Sequence, residues 1–442
     1  MSTVRPFEVT QRGVLAIAIP MTIAYLSTPL LGIVDTAVIG QLGRADLLGG
    51  IAVGAVVFDI LFATFNFLRS GTTGLTAQAV GAEDQTAQTA TLYRSALIGL
   101  IAGALIIALQ VPLLAVSLGF MGASEPVNAA VSEYFAIRAL GAPVSLLNYA
   151  ILGWFLGLGR AGTGLGLQLL LNGLNMALNV TFVLWLGWGV AGVAWGTVIG
   201  ETVTAIVGVL LAWRTLGANA FIPLAALTER LGLIRTFSVN RDIMIRSFSL
   251  LLVFALFTSA GARQTDVVLA ANAILMNLFI FGSYFLDGFA TAAEQLAGRA
   301  VGARYRPAFS RAVALTLAWG YALAAALSVV LLVAGPAIID LLTTSPEVRS
   351  AARHFLVWAA LTPLFGVAAF EFDGVFIGAT WSDDMRNMML VSLAVYLLVW
   401  LVATPLLGNH GLWLALAVFL LVRGLTLAAR YPLRLQRTFP EG

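Results

Sequence analysis

The sequence contains no cysteine and no lysine, and only two histidines, His354 and His410. Without cysteine there are neither disulfides nor thiolate metal ligands. The two histidines stand far apart in the chain, in neither an HxxxD nor an HExxH setting. No metal site and no catalytic residue is therefore expected. The missing lysine removes the group that reaches the phosphates in a P-loop. Glycine-rich runs such as Gly157 to Gly162 read as membrane-helix and turn glycines rather than phosphate cradles. ATP-driven transport within the chain is excluded on that ground. Charge is scarce too: 10% of residues are charged, against roughly 25% in a soluble domain. The net charge of +3 gives no reason to expect a nucleic-acid partner.

What remains is apolar. Hydrophobic residues make up 60% of the chain, too many for a soluble protein to cover with polar surface. A membrane span takes about 20 mostly apolar residues. Twelve runs qualify: 13–40, 47–70, 92–118, 127–157, 165–186, 190–211, 243–269, 272–296, 313–341, 350–378, 387–407 and 412–429. The polar start, Met1 to Arg12, is too short for a cleavable signal, so the first span is expected to target the chain and stay. Arginine placement sets the orientation. With the N-terminus in the cytoplasm, only Arg44, Arg263, Arg349 and Arg353 fall outside; most of the others lie inside. Both termini are expected to be cytoplasmic in a bacterial inner membrane.

The longest polar connection, Trp213 to Asp242, divides the chain near its middle. The expected organisation is an N-lobe of six helices (1–213), a cytoplasmic inter-lobe loop (214–242) and a C-lobe of six helices (243–442). The halves repeat at an offset of about 221. Leu47 to Gln85 aligns with Val268 to Arg306, and Ala79-Val80-Gly81-Ala82 recurs as Ala300-Val301-Gly302-Ala303. Ser124 to Pro143 likewise matches Ser345 to Pro363. Six spans per half make the repeat parallel, with its axis along the membrane normal. The fold class is thus an all-α integral membrane protein of 12 transmembrane helices in two pseudo-symmetric six-helix bundles, a geometry suited to alternating access.

Several strings point to a family. They are Val-Asp-Thr-Ala-Val-Ile-Gly (34–40), Arg-Ser-Gly-Thr-Thr-Gly-Leu-Thr-Ala-Gln-Ala (69–79), Asn-Arg-Asp-Ile (240–243), Gly-Ala-Arg-Gln (261–264), Leu-Ala-Ala-Asn-Ala-Ile-Leu (269–275), Leu-Asp-Gly-Phe-Ala (286–290), Gly-Arg-Ala-Val-Gly (298–302) and Phe-Asp-Gly-Val-Phe-Ile-Gly-Ala-Thr (372–380). Together they resemble the DinF-like branch of the multidrug and toxic compound extrusion (MATE) family over nearly the whole chain. The resemblance implies export of organic cations and other amphiphiles, driven by a proton or sodium gradient. Similar branches are usually proton-coupled.

An ionisable group at bilayer depth is costly and functional by default. Nine acids fall in spans: Asp35, Asp59, Glu133, Glu201, Asp287, Glu294, Asp340, Glu371 and Asp373. Asp35 sits among Leu31, Ile33, Val34 and Ile39, where a carboxyl can hold a proton and lose it when water enters. Pro20, fifteen residues earlier, removes a backbone hydrogen bond and can hinge the helix. The resemblance places the family's central aspartate at Asp35. Asn175 and Asn179, at i and i+4, share a helix face; with Thr197 they form the expected partner cluster. Members of the family often carry aspartate where Asn179 stands, and this departure weakens the case for a multi-carboxylate sodium site. Asp287 and Asp373 stand in family motifs and are preferred to Glu371 for binding cationic cargo or relaying protons, with pairing to Arg69, Arg138 or Arg423 as the structural alternative. Those arginines could also snorkel to the interface. Glu133, Glu201, Glu294, Asp59 and Asp340 could sit near interfaces and receive no role. Met21, Phe58, Phe62, Tyr149 and Tyr284 are candidate walls of a substrate cavity.

These observations favour a monomeric secondary antiporter. It would take small-molecule organic cations or amphiphiles from the cytoplasm or the bilayer in exchange for protons, by alternating access, with no cofactor beyond the ion gradient. A lipid-linked precursor flippase of the same superfamily would favour a strongly cationic cavity, whereas here intramembrane acids outnumber arginines. An integral-membrane enzyme would need a catalytic cluster near one interface, and none is visible. A channel would want a selectivity motif or a symmetric oligomer.

Overall fold

Proline and glycine punctuate an otherwise continuous helical chain. The computed structural model describes residues 4–42, 44–121 and 124–440. Its α-helices are α1 (Gln11–Gly40), α2 (Ala45–Ala63), α3 (Phe67–Gly81), α4 (Gln85–Ala108), α5 (Gln110–Met121), α6 (Glu125–Gly157), α7 (Ala161–Asn179), α8 (Gly189–Leu216), α9 (Leu224–Leu227), α10 (Arg230–Ala262), α11 (Asp266–Gly302), α12 (Arg306–Leu342), α13 (Pro346–Gly378), α14 (Ser382–Leu407) and α15 (Asn409–Thr438). A π-helical turn, Val180–Trp185, continues α7. Twelve helical stretches are long and apolar enough to cross a membrane, so the chain is an all-α multi-pass membrane protein.

Three expected boundaries change. The second span is interrupted at residues 64–66, between α2 and α3, where the Thr64 hydroxyl donates to Leu61 O at 2.6 Å. The third stops at Ala108 because Pro112 lacks the amide that would bond the Ala108 carbonyl and its ring clashes there; α5 follows as a short separate helix. The polar connection expected over 214–242 is largely helical. Gly217, at φ +52°, ends α8, and α10 begins at Arg230, well before the apolar run starting at Ile243. Polar contacts tie it down at two points: Arg235 donates to Gln78 Oε1, and Asp242 accepts from Arg386 of α14, whose Nη1 lies 2.7 Å from its Oδ1.

The offset of 221 persists in the backbone. The left-handed residues Glu83, Gly159 and Gly187 have Arg304, Thr380 and Gly408 as counterparts. The turns after α3 and α11 close with Asp84 N donating to Ala79 O (2.9 Å) and Tyr305 N to Ala300 O (3.0 Å). Those after α6 and α13 close with Arg160 N to Phe155 O (2.9 Å) and Trp381 N to Phe376 O (2.8 Å). These are Schellman-type closures, satisfying carbonyls that a helix end leaves open. In this register Pro143 stands opposite Leu364, so the internal prolines Pro143 and Pro363 fall one residue apart.

Within each half, a glycine pair four residues apart lets two helices cross at backbone contact. A Cβ on Gly153 would lie 2.3 Å from Arg69 O, and one on Gly157 would lie 2.7 Å from Thr73 O. The counterparts are Gly374 against Ala290 O (2.2 Å) and Gly378 against Glu294 O (2.0 Å). Lipid gives little hydrophobic drive for helix association, so backbone contact of this kind carries much of the packing. Two compact units result. One gathers residues 23–80 with 84–237; the other gathers the segment through Thr22, residues 81–83, and the chain from Ser238 onward. The chain passes from one unit to the other inside α1, between Thr22 and Ile23, two residues after Pro20.

Candidate functional site

In the unit containing residues 23–80 and 84–237, α7 presents a polar stripe at Gln168, Asn172, Asn175 and Asn179, the spacing of one helix face. Asn172, Asn175 and Asn179 are buried. Gln168 Nε2 donates to Asn172 Oδ1 (3.2 Å), and Asn172 Nδ2 donates to Ser27 Oγ on α1 (2.7 Å). Asn175 Nδ2 donates to Thr197 Oγ1 on α8 (2.9 Å). Asn179 Nδ2 donates both to Asn175 Oδ1 (2.6 Å) and to Asp35 Oδ1 (2.5 Å). Asp35, Asn175, Asn179 and Thr197 are thus one hydrogen-bonded chain across α1, α7 and α8. Asn179 is the last α-helical residue before the π-turn, and π-turns are frequent at functional sites. Gly196 makes room for its amide, since a Cβ there would lie 2.0 Å from Asn179 Oδ1.

Magnitudes separate this cluster from structural glue. An interhelical hydrogen bond in a membrane protein averages about 0.6 kcal/mol and reaches about 1.7. An aspartate at a helix centre costs about 2.5–3.5 kcal/mol on insertion scales. One amide bond leaves ionised Asp35 a net cost. Arg138 contributes to its field but is already committed to another acid.

That acid is Glu201, to which the sequence reading assigned no role. Arg138 Nη1 and Nη2 donate to Glu201 Oε2 and Oε1 at 2.9 and 3.2 Å, and Ser145 Oγ donates to Oε2 at 2.5 Å. Both charged residues are buried, so Arg138 does not snorkel. Phe58 and Phe62 pack on it, each ring centroid 5.3 Å from the guanidinium carbon. These two candidate cavity walls are core residues around a buried ion pair. Tyr149 is half-buried. Arg69 Nε donates to Asn66 Oδ1 (3.2 Å), beside the break between α2 and α3.

In the other unit, Asp373 is held by two arginines. Arg246 Nε donates to its Oδ2 at 2.8 Å, and Arg423 contacts the same oxygen. Arg423 is buried to 1% exposure. Buried pairing of this kind makes removal of one partner costly. Asp287 and Tyr284 on α11 are half-buried, and Met21 on α1 is fully buried. Glu371 on α13 is fully buried, with no hydrogen-bond partner for either oxygen.

The two histidines, remote in sequence, meet. Their Nε2 atoms are 3.1 Å apart, and Trp358 Nε1 donates to His410 Nδ1 at 2.9 Å. An indole N–H only donates, so neutral His410 carries its proton on Nε2 and gives it to His354. Among the described residues no three His, Asp or Glu side chains gather as a metal site.

Comparison with known proteins accords with this architecture. The MatE family model matches residues 20–181 and 243–407, once in each copy of the repeat. The chain is 42% identical to DNA damage-inducible protein F of Escherichia coli (strain K12), over 93% of this chain and 90% of that protein. It is 25% identical to the probable multidrug resistance protein NorM of Chromobacterium violaceum, over 94% of this chain and 92% of that one. A solved structure described as the outward-facing conformation of a multidrug resistance MATE family transporter of the MOP superfamily superposes with a TM-score of 0.87 at 19% identity, covering 98% of this chain and 97% of that chain. The chain therefore belongs to the MatE family, on the branch of the DNA damage-inducible protein F.

Proposed function

We propose that this protein is a secondary antiporter of the inner membrane that exports amphiphilic or cationic small molecules in exchange for protons. Asp35 is the coupling group; Asn175, Asn179 and Thr197 set its hydrogen bonding; Pro20 is the hinge of α1. The observation that carries this reading is the Asn179–Asp35 bond at 2.5 Å, in an apolar first helix that supplies no paired cation of its own. When Asp35 is ionised, the Asn179 amide donates to it. When Asp35 is protonated, a carboxyl O–H becomes available and an amide oxygen can accept it. Asn179 Oδ1 is buried and has no hydrogen-bond partner, so an acceptor is held ready beside the carboxyl. Protonation therefore rearranges a hydrogen bond between α1 and α7, and an α1 weakened at Pro20 can answer by bending.

The halves 1–213 and 243–442, joined through 214–242, are the moving parts in this reading. Protons are favoured over sodium because an asparagine stands at 179 and two of the buried acids, Glu201 and Asp373, are taken by arginine. The cargo is an organic cation or amphiphile, met in the unit formed from residue 238 onward by the half-buried Tyr284 and Asp287. The protein works as a monomer with both termini in the cytoplasm.

The test is efflux of a fluorescent cation from proteoliposomes with the proton and sodium gradients imposed separately. A pH gradient alone should drive wild-type efflux. Efflux that requires sodium and ignores pH would overturn the coupling assignment.

A further inference from the structure

Glu371 is unlike the other acids in the spans. It lies two turns before the end of α13 with 0% exposure, and both carboxyl oxygens lack a hydrogen-bond partner. The polar group beside it is the Thr316 hydroxyl of α12, but that hydroxyl donates to its own helix, to Ala312 O (3.1 Å) and Val313 O (3.3 Å). Gly320, one turn further on α12, leaves the space the carboxyl occupies; a Cβ there would lie 3.1 Å from Glu371 Oε1.

Among the described residues, no cation pairs with it. Asp373, two residues on, points elsewhere on the helix and takes both Arg423 of α15 and Arg246 of α10. From α11 the charged group felt by Glu371 is Asp287, which has the same sign. α12 carries its charges, Arg306, Arg311 and Asp340, towards its two ends. α14 carries Asp383, Asp384 and Arg386 in its first turns, where they pair with Arg434, Arg430 and Asp242. An ionised carboxylate buried here, with no counter-ion and only the Thr316 hydroxyl beside it, would cost several kcal/mol. The uncharged acid is the species that fits this pocket.

We propose that Glu371 is a second proton-binding site, located in the unit formed from residue 238 onward. It carries a proton in this conformation and exchanges it when transport admits water to α12 and α13. The role in transport rests on the antiporter reading above; the bound proton does not.

The test therefore has a readout that needs no cargo. Infrared spectra of the purified protein in lipid at neutral pH should contain a protonated-carboxyl C=O band that shifts in D2O. The band should persist in Asp35→Asn and be lost in Glu371→Gln, which keeps volume and neutrality. Glu371→Met serves if the glutamine variant does not fold, judged by its thermal unfolding curve. Gly320→Ala should shift the band, because it crowds Oε1. An unchanged band in both Glu371 variants would overturn the proposal. For the role in transport, ethidium efflux driven by a pH jump should be lost in Glu371→Gln and recovered in Glu371→Asp. Loss of the band with undiminished efflux would leave a bound proton but overturn its exchange. Normal proton-driven efflux in Asp35→Asn, with loss in Glu371→Gln, would remove Asp35 from the coupling step and leave Glu371 in it.

Discussion

The two halves keep one backbone register and put different chemistry on it. Asp35, Asn175, Asn179 and Thr197 in the first half stand where the second has Leu256, Tyr396, Trp400 and Val418. The first set is a hydrogen-bonded chain. Of the second set, Tyr396 lies in a hydrophobic core and Trp400 packs against it. The reverse holds elsewhere: Glu371, Asp373, Arg246 and Arg423 occupy positions filled in the first half by Ala150, Leu152, Tyr25 and Thr202. Crossings and turns are retained because they rest on glycine and backbone geometry. The buried charges are not retained, which separates what the fold needs from what each half was given to do.

The most severe way to break that contrast is to write the second half's residue into the first. Asp35→Leu copies Leu256 and should abolish pH-driven efflux, with Asp35→Asn doing the same. Folding should be retained, because removing a charge from bilayer depth lowers its cost. Efflux from liposomes and thermal unfolding, measured on the same preparation, check both halves of the expectation. Undiminished efflux in Asp35→Asn would exclude the carboxyl from coupling.

A smaller effect is expected from the second half's own charges. Asp373→Asn leaves Arg423 and Arg246 without their acid, and breaking a buried pair in this way costs about 3–5 kcal/mol. A depressed unfolding temperature in detergent is the readout; no change would mean the arginines find other partners. Gly196→Ala probes the first half by sterics alone. Its Cβ would fall 2.0 Å from Asn179 Oδ1, and overpacking of this kind costs about 1–3 kcal/mol. Efflux should fall further than stability does, because the displaced amide is the one that bonds Asp35.

The least perturbing test uses the absence of cysteine. Single cysteines at the exposed positions Glu83, Glu229 and Arg437 should be labelled only from the cytoplasmic side, and one at Arg263 only from outside. Gly81, the more obvious choice in the first loop, is unsuitable because a Cβ there would lie 1.9 Å from Arg299 O. Opposite accessibility at Glu83 and Glu229 would overturn the proposed orientation.

Much of this was readable beforehand, for physical reasons. Spans are legible because the bilayer imposes length and apolarity on every crossing. The polar face of α7 is legible because Asn175 and Asn179 are one turn apart. The partners of Arg138, Asp373 and His410 were not, since each comes from a different helix far along the chain, and helix rotation is invisible to composition. Glu201 looked interfacial for that reason, and the two histidines looked unrelated. The break at residues 64–66 was hidden as well: the equivalent stretch of the second half, 285–287, is unbroken helix in α11.

The passage of α1 from one compact unit to the other has a consequence for synthesis. Ala18 and Thr22 pack on α11, where a Cβ on Gly288 would lie 2.0 Å from Thr22 Oγ1 and 2.8 Å from Ala18 O. More than half the chain separates Thr22 from Gly288. At roughly 5–20 residues per second, the first helix waits from about ten seconds to a minute for the surface it is shaped to meet. Its outer residues are already committed, while its inner turn stays unclaimed through most of translation. Substitutions at Ala18, Thr22 or Gly288 should therefore lower the yield of folded protein, measured as the amount recovered in the membrane fraction.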